Sequence, residues 1–190
     1  MTAPLVLGFD TSGGYCAACL WQDGRALHSA AEDMTRGQAE RLMPLLEDLL
    51  TAEGYTWSAL DALAVGIGPG NFTGIRIAVS AARGLALGLN IPAYGVTGFQ
   101  ARALLAPDAK VITVPAPRNQ VYVWRDGAPH QIDAAALDTQ GPPPSPAALA
   151  AAIAQTAAAR WPAIEERPAP LYARPADAAP PRDAPPVLLD

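Results

Sequence analysis

Short apolar runs broken by glycine-rich segments open the chain, and their periods define its elements. Leu5–Phe9 is an unbroken apolar run of strand length. Tyr15–Gln22 and Arg25–Ser29 flank Asp23-Gly24, a dipeptide that tolerates the positive φ of a two-residue turn, so this stretch predicts a β-hairpin. From Gln38 the period becomes helical and runs to Glu53, where Gly54 is placed to stop the helix. Leu60–Ile67 predicts a buried strand, Gly74–Leu89 a helix and Pro92–Val96 a short strand. Strand, hairpin, helix, strand, helix, strand is the order of an α/β fold. Further on, Val111–Val114, Gln120–Arg125 and Gln131–Asp133 predict strands of a second unit.

Composition shifts near Gln140, after which twelve of the twenty prolines fall. Pro142-Pro143-Pro144-Ser145-Pro146 predicts a stiff linker, because proline removes donors and favours extended backbone. Ala147–Arg160 follows as a helix, with Ser145 as N-cap, Pro146 in its first turn and Leu149, Ile153 and Trp161 along one side. Residues 162–190 predict a poorly ordered tail or a strap across the surface, and Pro175–Pro186 no regular structure. The chain thus divides into residues 1–105, a first lobe, and 106–190, a reduced second lobe with linker and tail.

With 190 residues, 51% of them hydrophobic, the chain can fill a core and is not disordered. Thirteen basic against eighteen acidic residues give a net charge of −5, spread over both halves, so autonomous binding to a phosphate backbone is not expected. Lys110 is the one lysine and precedes an apolar run, which removes the GxxxxGK[ST] phosphate loop. Two cysteines make no secreted disulfide framework, and no basic leader precedes Leu5. The uncharged stretch Gly84–Ala101 is interrupted by Asn90, Pro92 and glycines. The expectation is a cytoplasmic protein without a membrane span.

Two loops carry candidate chemistry. Asp10, Thr11, Ser12 and Gly13 follow the first strand; a carboxylate, two hydroxyls and open amides could hold a hydrated metal and phosphate oxygens, or simply close an Asx turn. Gly68, Gly70 and Thr73 lie in Gly66–Arg76, between a strand and a helix. An anion could rest there on helix amides, or the segment could be a tight turn capped by Asn71 or Thr73. It is not a dinucleotide fingerprint, since Asn71 stands where the third glycine belongs. Cys16 and Cys19 resemble a CxxC pair, yet in a strand residues three apart face opposite sides, so two ordinary thiols are expected. His28 and His130 are the only histidines, and no metal-ligand spacing or GxSxG elbow is present. An aspartic protease fits poorly, because Ser12 occupies the glycine position of Asp-Thr-Gly and strong helices follow.

Both helices are wider in apolar surface than one core requires. Leu42, Met43, Leu45, Leu46, Leu49 and Leu50 cover an arc of roughly 160°, against roughly 100° for a helix seated on one core. In the next helix Ile75, Val79, Ala82 and Leu89 form one face, and Ile77, Ala81, Gly84 and Gly88 a second, of small residues that allow close approach. Either the two helices pack on each other and the sheet, or part of this surface meets a partner.

FDTS after the first strand, ERLMPLLEDLL in the first helix and DALAVGIGPGNFTGIRIAVSAARGLALGLNIPAYGV together resemble the bacterial TsaB (YeaZ) family. The match covers roughly Leu5–Leu105 and is weaker through Arg118–Trp124 and PLYAR at Leu171. The resemblance implies an actin-like ATPase (ASKHA, ribonuclease H-like) fold with a complete first lobe and a shortened second one. It implies a non-catalytic subunit, without catalytic residues or a metal of its own, in the complex that transfers threonylcarbamoyl to the adenine next to the anticodon of tRNA. It would scaffold and activate TsaD, with TsaE joining through the complex, tRNA met only indirectly, no membrane contact, and a homodimer as the alternative state when alone. No cofactor is expected, ATP or ADP at the complex interface being the one exception. Leu42, Met43, Leu45, Leu46, Leu49, Leu50, Arg76, Ile77, Ala81, Gly84 and Gly88 would form the partner interface. The competing function is an active actin-like ATP-dependent or metallopeptidase-like enzyme.

Overall fold

The structure, a computed structural model, describes residues 3–137, 143–163 and 166–173. A five-stranded sheet organises it, in the order β3-β2-β1-β4-β5. β1 (Val6–Asp10), β2 (Tyr15–Gln22) and β3 (Arg25–Asp33) are antiparallel neighbours, whereas β4 (Ala62–Gly66) and β5 (Ala93–Val96) run parallel to β1. Asp23 and Gly24 turn the hairpin with φ of 51° and 75°, as their sequence predicts. Helices on both faces, with this strand order and β2 antiparallel between β3 and β1, make this an α/β sheet of the ribonuclease H-like type.

Strand alternation sends side chains to two separate cores. Leu5, Leu7, Phe9, Cys16, Ala18, Leu20, Leu63 and Val65 meet α1 (Gln38–Ala52) and α2 (Phe72–Leu89). Val6, Ala17, Cys19, Trp21, Ala62, Ala64, Tyr94 and Val96 face the opposite way. α1 stops at Gly54, whose φ is 72°, and Arg41 ties the helix to β3 and to its own next turns by bridging Glu32 at 2.7 Å and Asp48 at 3.0 Å. α2 is capped by Asn71, whose side chain accepts from the Gly74 amide at 2.8 Å. This helix is long and apolar enough to cross a membrane, yet Ile75, Ala78, Val79 and Ala82 are seated in the core.

The second core corrects the expected division of the chain. α3 (Gly98–Leu105) and α4 (Pro146–Ala158) lie on this face, so the helix placed in the second lobe instead completes the first. Ser145 caps α4 as expected, accepting from the Ala148 amide at 3.2 Å. Its run of alanines lets the helix backbone come down onto the sheet at Gly8, where an added Cβ would lie 2.7 Å from the Ala154 Cβ and 2.9 Å from the Ala150 carbonyl oxygen. α3 was not foreseen; its start is fixed by a capping box in which Thr97 and Gln100 satisfy each other's backbone amides. What remains of the second part is an antiparallel sheet of β6 (Thr113–Ala116), β7 (Gln120–Arg125) and β8 (Ala128–Asp133), packed through Val114 and Tyr122 on Phe99 of α3.

Beyond α4 the chain returns along the edge of β5. Tyr94 donates to the Ala163 carbonyl at 2.8 Å and Arg160 to that of Gly95 at 3.0 Å. Residues 166–173 then form the strap: the Leu171 amide donates to the Ile67 carbonyl at 2.8 Å, and Ala173 packs against the Phe99, Val114, Tyr122 cluster. The linker residue Pro142 and the stretch Pro175–Pro186 lie outside the described residues.

Cys16 and Cys19 are buried on opposite faces of β2 and belong to different cores. Burial, reinforced by the charge of Glu32, pushes the Cys16 thiol up to about 11, and burial raises that of Cys19 as well. Both therefore remain protonated thiols shielded from solvent at pH 8. Labelling with a thiol-specific disulfide reagent at that pH should be negligible in buffer and rapid in denaturant; fast labelling of either cysteine in the folded protein would contradict the two-core arrangement.

Candidate functional site

Asp10 ends β1 at the edge where the loop after β4 passes, and the carboxylate is 3% exposed. Its Oδ1 accepts from the Ser12 amide at 3.0 Å, while Oδ2 accepts from the Ser12 hydroxyl at 2.9 Å and from the Tyr15 hydroxyl at 2.6 Å. Gly66 makes room for it: a Cβ there would sit 2.3 Å from Oδ1. Gly13 does the same for Tyr15, whose ring would lie 2.3 Å from an added Cβ. Burial first, and then the Asp10 charge, hold the Tyr15 phenol well above its ordinary pKa, so it remains a donor to the carboxylate. The Arg102 guanidinium of α3 lies in the field of both, donates to the Gly98 carbonyl at 3.2 Å, and is itself shifted downward by burial.

The second loop is knitted onto the first. Thr11, fully buried, donates its hydroxyl to the Gly74 carbonyl at 2.6 Å, and the Asn71 amide donates to the Ser12 carbonyl at 2.7 Å. Glycine at 70 and 74 is required by this closeness, since a Cβ would fall 2.4 Å from the Ser12 oxygen and 1.9 Å from the Thr11 oxygen respectively. Gly68, with φ of 95°, accepts from the Gly98 amide at 2.8 Å and is covered by Leu171. The structure thus brings Asp10, Thr11, Ser12, Gly13, Gly68 and Gly70 into one junction of two loops, with Thr73 at its rim facing a hollow of about 360 Å³ between the turn before α1 and the start of α2. In this junction the carboxylate is enclosed by donors of its own chain, the arrangement of an Asx turn stitched to a tyrosine. Tyr15 and Arg102 were not read from the sequence; the pair of glycines before Tyr15 and the Thr97-x-x-Gln100 box were the available signals.

The leucines assigned to a partner surface are a correction. Leu42, Leu45, Leu46, Leu49 and Leu50 are at most 3% exposed and fill the core beneath α1. Their wide arc exists because α1 lies in the angle between the sheet and α2, and so meets apolar groups on two sides. Among the proposed interface residues, Met43 is 40% exposed, Ile77 and Ala81 are half-buried, and Arg76, Gly84 and Gly88 are exposed. Leu87, on the same open side of α2, is 79% exposed. Among the described residues no group of three or more His, Cys, Asp or Glu side chains comes together to hold a metal.

Comparison with known proteins agrees with this architecture. The family model described as TsaD, tRNA N6-adenosine threonylcarbamoyltransferase, matches residues 30–145. The chain is 39% identical over 98 residues to the tRNA threonylcarbamoyladenosine biosynthesis protein TsaB of Escherichia coli (strain K12), covering 52% of this chain and 42% of that protein. It is 33% identical over 122 residues to the protein of the same name from Haemophilus influenzae, covering 62% and 51%. The solved structure of YeaZ from Pseudomonas aeruginosa aligns with a TM-score of 0.55 at 36% identity, over 68% of this chain and 64% of that one. The chain spans about half the length of the curated relatives it matches.

Proposed function

The chain belongs to the TsaB (YeaZ) family, and on that premise we propose that it serves the biosynthesis of threonylcarbamoyladenosine in tRNA as a non-catalytic subunit that docks on and activates TsaD. One observation carries this reading. α2 is apolar along its length, yet only five of its eighteen residues are buried. Its open side presents Gly84 and Gly88 beside the half-buried Ile77 and Ala81, and among the described residues nothing approaches within 4 Å of where a Cβ would stand at either glycine. Small residues in this spacing let a second helix come close, and an apolar helix left half-open is expensive in water unless a partner covers it. The enclosed Asp10 carboxylate supports the non-catalytic part, because its oxygens are already occupied by Ser12 and Tyr15.

Gly84→Leu tests the surface. Open space at this position means that the variant should fold and melt within a few degrees of the parent, while losing capture by TsaD, since a bulky side chain where backbones meet abolishes close approach. In parallel, the pure chain should show no ATP turnover and should restore tRNA modification when added to the remaining components. Unchanged capture by Gly84→Leu would move the interface off α2, and ATP turnover lost on Asp10→Ala would favour the enzyme reading.

A further inference from the structure

The strap crosses the first turn of α2 at one place where its side chain, not its backbone, does the holding. Tyr172 accepts a hydrogen bond from Nε of Arg76 at 2.8 Å, across 96 residues of sequence. The guanidinium carbon of Arg76 lies 4.0 Å from the centroid of the Phe72 ring and 5.7 Å from that of Tyr172, and the two rings are 4.9 Å apart, tilted by 32°. Nε is thereby occupied, while Nη1 and Nη2 have no hydrogen-bond or ion-pair partner among the described residues. Phe72 remains 39% exposed, so the stack stands at the surface beside the open side of α2.

Resting on the docking reading above, we propose that Tyr172 is a positioning residue for association: it clamps the Arg76 guanidinium flat on Phe72 so that Nη1 and Nη2 form a fixed fork for a carboxylate of the partner protein. A free arginine side chain loses much rotational freedom when it pairs, and a stacked, singly bonded one has lost it beforehand. Two parallel N–H donors match a carboxylate in geometry. A nucleic-acid phosphate suits the place less well. Among the described residues the nearest other cation on this helix is Arg83 two turns away, Arg36 is the one cation lining the adjacent hollow, where it is offset by Glu40, and the chain carries a net charge of −5.

The test uses the full chain, TsaD as probe, and thermal melts of every variant. Arg76→Ala should weaken association about thirtyfold. Tyr172→Phe keeps the ring and the Leu171 backbone bond but removes the hydroxyl, and should weaken association about fivefold, the worth of one hydrogen bond, at an unchanged melting temperature. Combined with Arg76→Ala, Tyr172→Phe should have no further effect, a dependence that a purely structural tyrosine would not show. The proposal is overturned if Tyr172→Phe binds like the parent, or if it loses the same factor in both backgrounds. It is equally overturned if Arg76→Ala leaves association intact and instead reduces retention of tRNA. Should Gly84→Leu abolish association while the Arg76 and Tyr172 variants bind normally, docking on α2 stands and the clamp does not; a parent chain that fails to bind TsaD removes both.

Discussion

Leu46→Glu should leave no cooperatively folded protein at 25 °C, whereas Met43→Glu, three residues earlier on the same helix, should melt within a few degrees of the parent. Leu46 is fully buried against the sheet and Met43 is 40% exposed. Replacing the leucine forfeits about 2 kcal/mol of apolar burial. The glutamate must also stay protonated in the core or be buried charged; with its pKa raised by about 3–5 units, holding it protonated at pH 7 against a free pKa of about 4.3 costs roughly 3.5 kcal/mol. Together these approach the whole stability of a domain, about 5–15 kcal/mol. Circular dichroism melts of the two variants decide the matter, and a parent-like transition for Leu46→Glu would show that the leucine row is not core. Because Met43→Glu keeps the fold, any loss of association in that variant reports on the surface alone.

Gly8→Val should detach α4 from the sheet. The neighbours of the missing Cβ include the Ala150 carbonyl oxygen and the Ala154 amide nitrogen, each at 2.9 Å, and backbone cannot rotate away as a side chain can. The helix would have to lift, opening gaps around Leu149, Ile153 and Ala157, which are otherwise buried over β1, β2 and β4. Overpacking of this kind costs about 1–3 kcal/mol where side chains yield and more where backbone must move. The expected result is a drop in melting temperature of roughly 10 °C or more, given about 2–4 °C per kcal/mol for a chain of this size. Hydrogen exchange of α4 should accelerate before that of α1; equal acceleration in both helices would argue that the contact at Gly8 is not the weak point.

Elements were legible in the sequence wherever local chemistry decided them. Asp23-Gly24 set the hairpin, Gly54 the end of α1, and Ser145-Pro146 the start of α4, each through backbone geometry that needs no distant partner. Destination was not legible. The alanine run of α4 fits any close surface, and only the match to Gly8, far away in the chain, identifies the sheet it covers. The arc of α1 likewise measured how much apolar surface must be hidden without saying by what, and the answer was α2 and the sheet of the same chain. At the candidate site, Asp10, Thr11 and Ser12 were recognisable as chemistry-bearing types. That their hydrogen bonds close on Tyr15 and the Gly74 carbonyl depends on two loops meeting at the ends of parallel strands, which no spacing reveals.

The distance along the chain between Gly8 and α4 also governs how the protein is made. β1, β2 and β4 can pair, and α1 and α2 can cover one side, as soon as residues up to Val96 have left the ribosome. The other side, with Val6, Cys19, Trp21 and Tyr94, must wait for α4, whose end lies roughly 60 residues beyond Val96, a delay of about 3–12 s at rates of elongation of about 5–20 residues per second. During that interval the nascent chain carries a formed sheet with one greasy side open, the kind of high-contact-order intermediate that holdase chaperones recognise. The ribosome-bound chain arrested before Pro146 is thus the species in which such a chaperone would be found.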